Sequence, residues 1–392
     1  MAENHTYLAA ARRSPVGRFL GGLSRLSAVR IGAQVARKTL ADANIDPAAI
    51  DDVLVGMVLQ AGAGQNPARQ VALGAGLPTS ISASTINKVC GSGLQSVMFA
   101  DQIIRAGDAD VILAGGIESM SQAPFLLREM RGGRKFGDAT AVDCLLHDGL
   151  VNAYDNDAMG VIAEETAEKK GITRAEQDDF AAQSHQRAGR AAAEGLFDDE
   201  LVAIEVKPGK PPVERDEGIR PDTSGDGLAL LRPAFKPGGT VTAGNASQLS
   251  DGAGMVVVAN DAGLKRIDAK PLARIVGHTT AGLDSREVFL TPIPACKALC
   301  EKLDWKRDSV ELWELNEAFA SQMIAVLRGL ELDTENVNVH GGAIALGHPL
   351  GASGTRCLVT GVHAMRRRGA KRCIVTMCLG GGNAVALALE AV

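Results

Sequence analysis

The stretch Asn338-Val339-His340-Gly341-Gly342-Ala343-Ile344-Ala345-Leu346-Gly347-His348-Pro349-Leu350-Gly351-Ala352-Ser353-Gly354 decides how this chain is read. Glycine at this density makes poor helix or strand interior, but it lets backbone approach a ligand closely and adopt positive φ. A histidine embedded there, His348, is held in a tight loop, which is where a catalytic base is displayed. The plainer alternative is a histidine that caps the helix entered through Pro349. Three further segments have the same look or follow an apolar run: Asn87-Lys88-Val89-Cys90-Gly91-Ser92-Gly93, Asn316-Glu317-Ala318-Phe319 and Cys378-Leu379-Gly380-Gly381-Gly382. Together they supply two cysteines, an asparagine and a histidine.

Outward from these segments, two portions of the chain echo each other. Cys90-Gly91-Ser92-Gly93-Leu94 leads through a helical pattern to Arg105-Ala106-Gly107-Asp108 and the apolar run 111–116. Gly351-Ala352-Ser353-Gly354-Thr355 leads likewise to Arg368-Gly369-Ala370 and the run 373–377. Ser92 to Ser353 is an offset of 353 − 92 = 261 and Gly107 to Gly369 one of 369 − 107 = 262, so one insertion relates the two. Asp52-Val53-Leu54-Val55 and Val310-Glu311-Leu312-Trp313 form another pair, each after a short helical pattern. Two unrelated strand–helix–strand units could look alike, since Gly after a helix and Val or Ile in the next strand are generic.

Each half therefore reads as α/β, with strand–helix–strand units around a mixed sheet. From 119 to 250 the character changes to an insertion. It holds a basic loop at 131–135, a helical stretch from Met159 to Glu194, and a Pro/Gly-rich run from Lys207 to Gly239. The expected domains are residues 1–118 rejoined by 251–270, the insertion 119–250, and residues 271–392.

Composition narrows the function classes. A chain of 392 residues exceeds what one hydrophobic core organises. With 46% hydrophobic but only 3% aromatic residues, the core is built from Ala, Val, Leu and Ile. A net charge of −5 gives no electrostatic reason to expect nucleic-acid binding. Arg366-Arg367-Arg368 is expected at a solvated helix end, where cations suit the dipole. No apolar run is long enough for a membrane span, and the first residues lack the pattern of a signal peptide. Seven scattered cysteines suit a reducing, cytoplasmic setting. Cys296 and Cys300 stand at helical spacing without a nearby histidine and are expected in the core rather than on a metal.

Cys90 is expected in the turn between a strand and a helix N-terminus, where aligned N–H groups lower a thiol's pKa. A buried, inert cysteine is the alternative. His348 nearby would take the thiol proton. Asn316 either starts a helix as its N-cap or projects into a site at a strand–helix junction, and both can hold. Cys378, beside the backbone amides of Gly380 and its neighbours, can exchange a proton while those amides hold an oxyanion; an incidental cysteine in a turn is the other reading. His185 and His363 fall within helical patterns, and His147 and His278 lack any such setting.

On these four segments the chain resembles the thiolase family over nearly its whole length. The resemblance implies two similar halves stacked as an α/β/α/β/α sandwich, with a loop domain inserted in the first. It implies that Cys90 accepts the acyl group of a 3-ketoacyl-CoA, that His348 activates it, and that Cys378 moves protons for the acetyl-CoA carbanion and the incoming CoA thiol. One oxyanion site would be His348 with a water held by Asn316; the other would be the amides of Cys90 and Gly380. CoA, a substrate, would meet Arg220, Ser247 and the pantetheine neighbour Met159, with no metal or redox cofactor required. Ala158 stands where several biosynthetic members carry histidine. The segments 245–250 and 314–322 look more like degradative members, so thiolysis in fatty acid breakdown is expected, with acetoacetyl-CoA synthesis as the alternative. Ketoacyl-carrier-protein synthases share the fold but use histidines where Asn316 and Cys378 stand, and a non-catalytic acyl-CoA binder would not require two thiols. The loop 131–138 resembles one through which many thiolases join dimers into a homotetramer.

Overall fold

The computed structural model describes residues 5–392. Strands Ser82–Ile86, Asp52–Gly56 and Val111–Ser119 run parallel, and Ser250–Ala259 and Thr6–Arg13 add antiparallel neighbours. In the second half Leu312–Leu315 and Arg372–Leu379 are parallel, followed antiparallel by Asn383–Glu390 and Ala273–Gly282. The two ladders join where Thr6 to Leu8 pair with Ala273 to Ile275. The second half repeats the first element by element. Helix Pro292–Lys302 answers Ala28–Asp42, Ala320–Leu330 answers Pro67–Ala75, and Leu350–Arg368 answers Ser92–Ala106. The strand that would answer Ser82–Ile86 is reduced to a single parallel bridge between Trp313 and Val337.

Period-2 alternation along buried strands explains the layering. Val53 and Val55 face a core shared with helices Ala28–Asp42 and Pro67–Ala75, while Leu54 faces the opposite way. Leu54 meets helices Ser92–Ala106 and Leu350–Arg368, and so do Cys373, Val375 and Met377 from the other sheet. Ile374, with the opposite parity, faces Pro292–Lys302 and Ala320–Leu330. Two helices are thus sandwiched between two sheets, each covered outside by further helices, which is the five-layered arrangement expected of the fold.

Two local expectations are corrected. The stretch from Met159 to Glu194 is two helices, Met159–Lys170 and Arg174–Ala193. Gly171 takes φ +59° and Thr173 with Glu176 forms a reciprocal cap that starts the second. Asn316 does not cap a helix: Phe319 is extended and pairs with Ala246, so the helix begins only at Ala320. Cys296 lies in the outer core as expected, with Cys300 at its edge. Among the described residues no helix is long and apolar enough to cross a membrane, and no cluster of side chains could hold a metal ion.

Candidate active site

A cavity of about 400 Å³ opens between the two halves and the insertion. Cys90, His348, Cys378 and Gly380 line it together with Met159 and Ser247. Asn316 joins through its Nδ2, 3.5 Å from His348 Nε2. Arg220 is not on the lining; its side chain is exposed and its N–H donates to Nδ1 of buried His185.

Cys90 stands in the turn after strand Ser82–Ile86, just before the helix that starts at Ser92. Val89 ahead of it has φ +48°, a left-handed conformation that a β-branched residue rarely takes and that marks the turn as over-determined by its surroundings. Ser92 Oγ helps fix it, accepting from Lys88 N–H and donating to the Val89 carbonyl. The N–H groups of Gly380 and of Cys90 itself are directed at the sulfur. The expected lowering of the thiol pKa does not follow. Burial pushes it up to about 11, the charge of Glu118 adds to the rise, and the two amides offset only part. Burial raises the Cys378 thiol as well, with the charge on Cys90 adding to it.

His348 precedes Pro349, which opens the helix Leu350–Arg368, and Gly347 before it has φ +113°, a conformation closed to side-chain-bearing residues. His348 Nδ1 lies 2.6 Å from Ser353 Oγ, and that hydroxyl donates to the Pro349 carbonyl at 2.9 Å. With its only proton committed, Ser353 accepts from Nδ1–H, which leaves Nε2 as the free base facing Asn316 and the cavity. Burial pushes the imidazole down to about 3, and the Arg356 charge adds to the effect. Both shifts favour a neutral thiol beside a neutral imidazole, an arrangement in which the proton passes as the sulfur attacks.

Asn316 Oδ1 is buried without a partner among the described residues, as a water-holding group would be. Behind it Glu317 accepts from Ser184, Asn338 and the Ile344 N–H, which ties the asparagine turn to the glycine stretch at 341–344. Glu118 accepts from the N–H groups of Val58, Leu59 and Gly351, fastening the start of the histidine-side helix to the first half. The apolar walls come from Met120, Phe235, Val288, Phe289 and Phe319, of which only Phe319 falls in a segment the sequence singled out. His340, in the same glycine stretch as His348, lies instead edge-on to Phe197, outside the cavity lining.

The family model for the thiolase N-terminal domain matches residues 6–262, and that for the C-terminal domain matches residues 269–391. The chain belongs to the thiolase family. It is thereby an acyltransferase. It is 49% identical to an acetyl-CoA acetyltransferase of Allochromatium vinosum, over 97% of each chain. It is also 44% identical to a probable acetyl-CoA acyltransferase of Staphylococcus aureus, over 97% of each. The human mitochondrial 3-ketoacyl-CoA thiolase superimposes with a TM-score of 0.97 at 40% identity, covering 100% of both chains. The same human enzyme in complex with CoA gives 0.96.

Proposed function

We propose that this thiolase cleaves 3-ketoacyl-CoA with CoA through an acyl-enzyme on Cys90. The observation that carries the reading is the meeting of two thiols, one neutral imidazole and the Gly380 N–H on a single cavity. Cys90 Sγ attacks the keto carbon while its proton passes to His348 Nε2. The bond between C2 and C3 breaks, its electron pair goes to C2, and Cys378 protonates that carbon to release acetyl-CoA. The incoming CoA thiol returns a proton to Cys378 and attacks the acyl group. Cys90 then leaves as a thiol with the proton from His348. Asn316 with a held water, and the amides of Cys90 and Gly380, stabilise the oxyanions.

CoA is the only co-substrate this scheme uses, and it calls on no metal or redox group. In this reading Ser247 and Met159, which line the cavity, meet the pantetheine arm, and exposed Arg220 is assigned to CoA by resemblance alone, within an insertion spanning 119–250. The degradative direction in fatty acid metabolism, in the cytoplasm, is the reading we favour. The acetyl-CoA acetyltransferase relatives favour acetoacetyl-CoA synthesis as the second. Thiolysis rates across a series of 3-ketoacyl-CoA chain lengths separate the two: activity kept on long chains supports the degradative reading, and activity confined to acetoacetyl-CoA the synthetic one.

The test of the acyl-enzyme is mass mapping after incubation with acyl-CoA. The acyl group should reside on Cys90, and Cys378→Ala should still form it while losing about 10³-fold in carbon–carbon cleavage. An acyl group found only on another cysteine sinks the scheme. We assign assembly into a tetramer to the loop 131–138, where Phe136 is 96% exposed and Leu127 and Met130 are exposed beside it. Light scattering should give a tetramer, and deletion of 131–137 an active dimer; an intact chain that stays dimeric at micromolar concentration excludes that role.

A further inference from the structure

The cavity wall is held from outside by one guanidinium. Residues 151–158 form a tight hairpin in which Val151 bridges Ala158 antiparallel and Asn152 N–H donates to the Asp157 carbonyl at 2.8 Å. Its ends reach the cavity, with Leu150 on one side and Ala158 and Met159 on the other. Its tip carries Asp155 and Asp157. Arg286, two residues before the lining residue Val288, donates from Nη1 to Asp155 Oδ2 at 2.8 Å and to Asp157 Oδ2 at 2.5 Å. Its Nε donates to Glu165 Oε2 at 3.2 Å, and its Nη2 bonds the same carboxylate. Buried Asn152 ties the same two segments, donating from Nδ2 to Asp155 Oδ2 at 2.9 Å and to Ser285 Oγ at 3.2 Å. Inside, Met159 packs against the cluster of Val288, Phe289, Phe319 and Cys378. Arg286 thus spans the outer side of the two segments that make the wall beside the second thiol.

A single exposed ion pair contributes little, because water screens it and two long side chains must be ordered. Arg286 is a different case, since one cation compensates three carboxylates on two elements. Without it, Asp155, Asp157 and Glu165 are left as uncompensated negative charges in one cluster. Asp155 and Asp157 then repel Glu165 of helix Met159–Lys170, and the hairpin shifts from the place where Arg286 drew it in.

We propose that Arg286 is a positioning residue that sets acyl-chain selectivity by latching hairpin 151–158 against residues 285–290 and so fixing the width of the cavity beside Cys378. The inference rests on the reading that Cys90 accepts the acyl group of a 3-ketoacyl-CoA. A short acyl group needs no parting of the wall. A long one does.

The experiment compares thiolysis of acetoacetyl-CoA and 3-ketodecanoyl-CoA by the full-length parent and by Arg286→Ala. The ratio of kcat/KM for the long substrate over the short should rise about tenfold in the variant, carried by a lower KM for the long one. The kcat for acetoacetyl-CoA should stay within about threefold. Adding Asp155→Asn, Asp157→Asn and Glu165→Gln to Arg286→Ala removes the repulsion and should return the ratio toward the parent's. A ratio unchanged in Arg286→Ala, or one that stays high after the three neutralising changes, overturns the latch. Mass mapping of the parent separates the two levels: acylated Cys90 with an unchanged ratio rejects the latch alone, while a parent that never acylates Cys90 rejects the reading beneath it as well.

Discussion

The helix start at Cys90-Gly91-Ser92 and the one at His348-Pro349-Leu350 open corresponding helices of the two halves, yet one presents a nucleophile and the other a base. Each follows a residue with positive φ, Val89 at +48° and Gly347 at +113°, so both turns aim a side chain back toward the layer between the sheets. The helices they open pack almost without side chains between them. A Cβ on Gly354 would stand 2.5 Å from the Leu94 nitrogen, and one on Gly93 would stand 2.8 Å from the Gly351 carbonyl oxygen. Close approach is what brings the two starts onto one cavity. The difference lies in how each reacting atom is held. The Cys90 sulfur meets two backbone N–H groups, whereas the His348 ring is oriented by one hydroxyl, that of Ser353. The helices correspond, but at the offset of 261 Cys90 answers Gly351 and His348 answers Asn87, so nucleophile and base come from different positions of the repeat.

The largest effect should come from removing each side in turn. Cys90→Ala should lower thiolysis by about 10⁴-fold or more, with no acyl-enzyme detectable. His348→Gln should cost about 10²- to 10⁴-fold yet still accumulate acyl group on Cys90, slowly, because only the proton acceptor is missing. Equal residual acylation in the two variants, read by intact-protein mass, would break the division of labour.

The second test concerns the state of the thiol. With the Cys90 pKa pushed up to about 11, the thiolate fraction grows about tenfold per pH unit below that value. Inactivation by iodoacetamide should therefore climb steadily between about pH 7 and pH 10, roughly 10³-fold in all. A plateau reached near neutral pH would mean a resting thiolate–imidazolium pair, and the two helix starts would then be coupled before substrate arrives.

How much of this was legible in the chain follows from the kind of constraint involved. The glycine-dense turns could be read because close backbone approach demands glycine locally, and the repeat could be read because Ser92 and Ser353 keep their places in it. The layering followed from alternation in runs such as 111–116 and 373–377. Burial pushes the Cys90 thiol up against the lowering that a helix start leads one to expect, because a helix start is visible in sequence while burial is a product of tertiary packing. The cavity wall escaped for a related reason: Met120, Phe235 and Val288 belong to separate segments, and each alone resembles an ordinary core residue. Of the two roles open to Asn316 in the sequence, the site at a strand–helix junction holds and the helix cap does not, since pairing of Phe319 with Ala246 keeps the backbone extended there. Ser353 served only to mark the repeat, and nothing in its neighbours announces a partner five residues back.

That serine gives the smallest and sharpest test. Its hydroxyl already donates to the Pro349 carbonyl, the ordinary bond of a helical serine, so its contact with His348 Nδ1 fixes which ring nitrogen carries the proton. Ser353→Ala removes that acceptor. The ring is then free to turn, or to move its proton to Nε2, where it can no longer accept from Cys90. The loss of one such hydrogen bond is worth about 1 kcal/mol, so kcat/KM should fall about fivefold. Thermal stability should hardly change, since alanine is the better helix former at a position inside Leu350–Arg368. Cys90 acylation should slow by the same factor as turnover, because the step affected is the first proton transfer. Unchanged kcat/KM in steady-state thiolysis would show that packing alone orients the imidazole, and that the two helix starts differ in their reacting atom but not in how it is held.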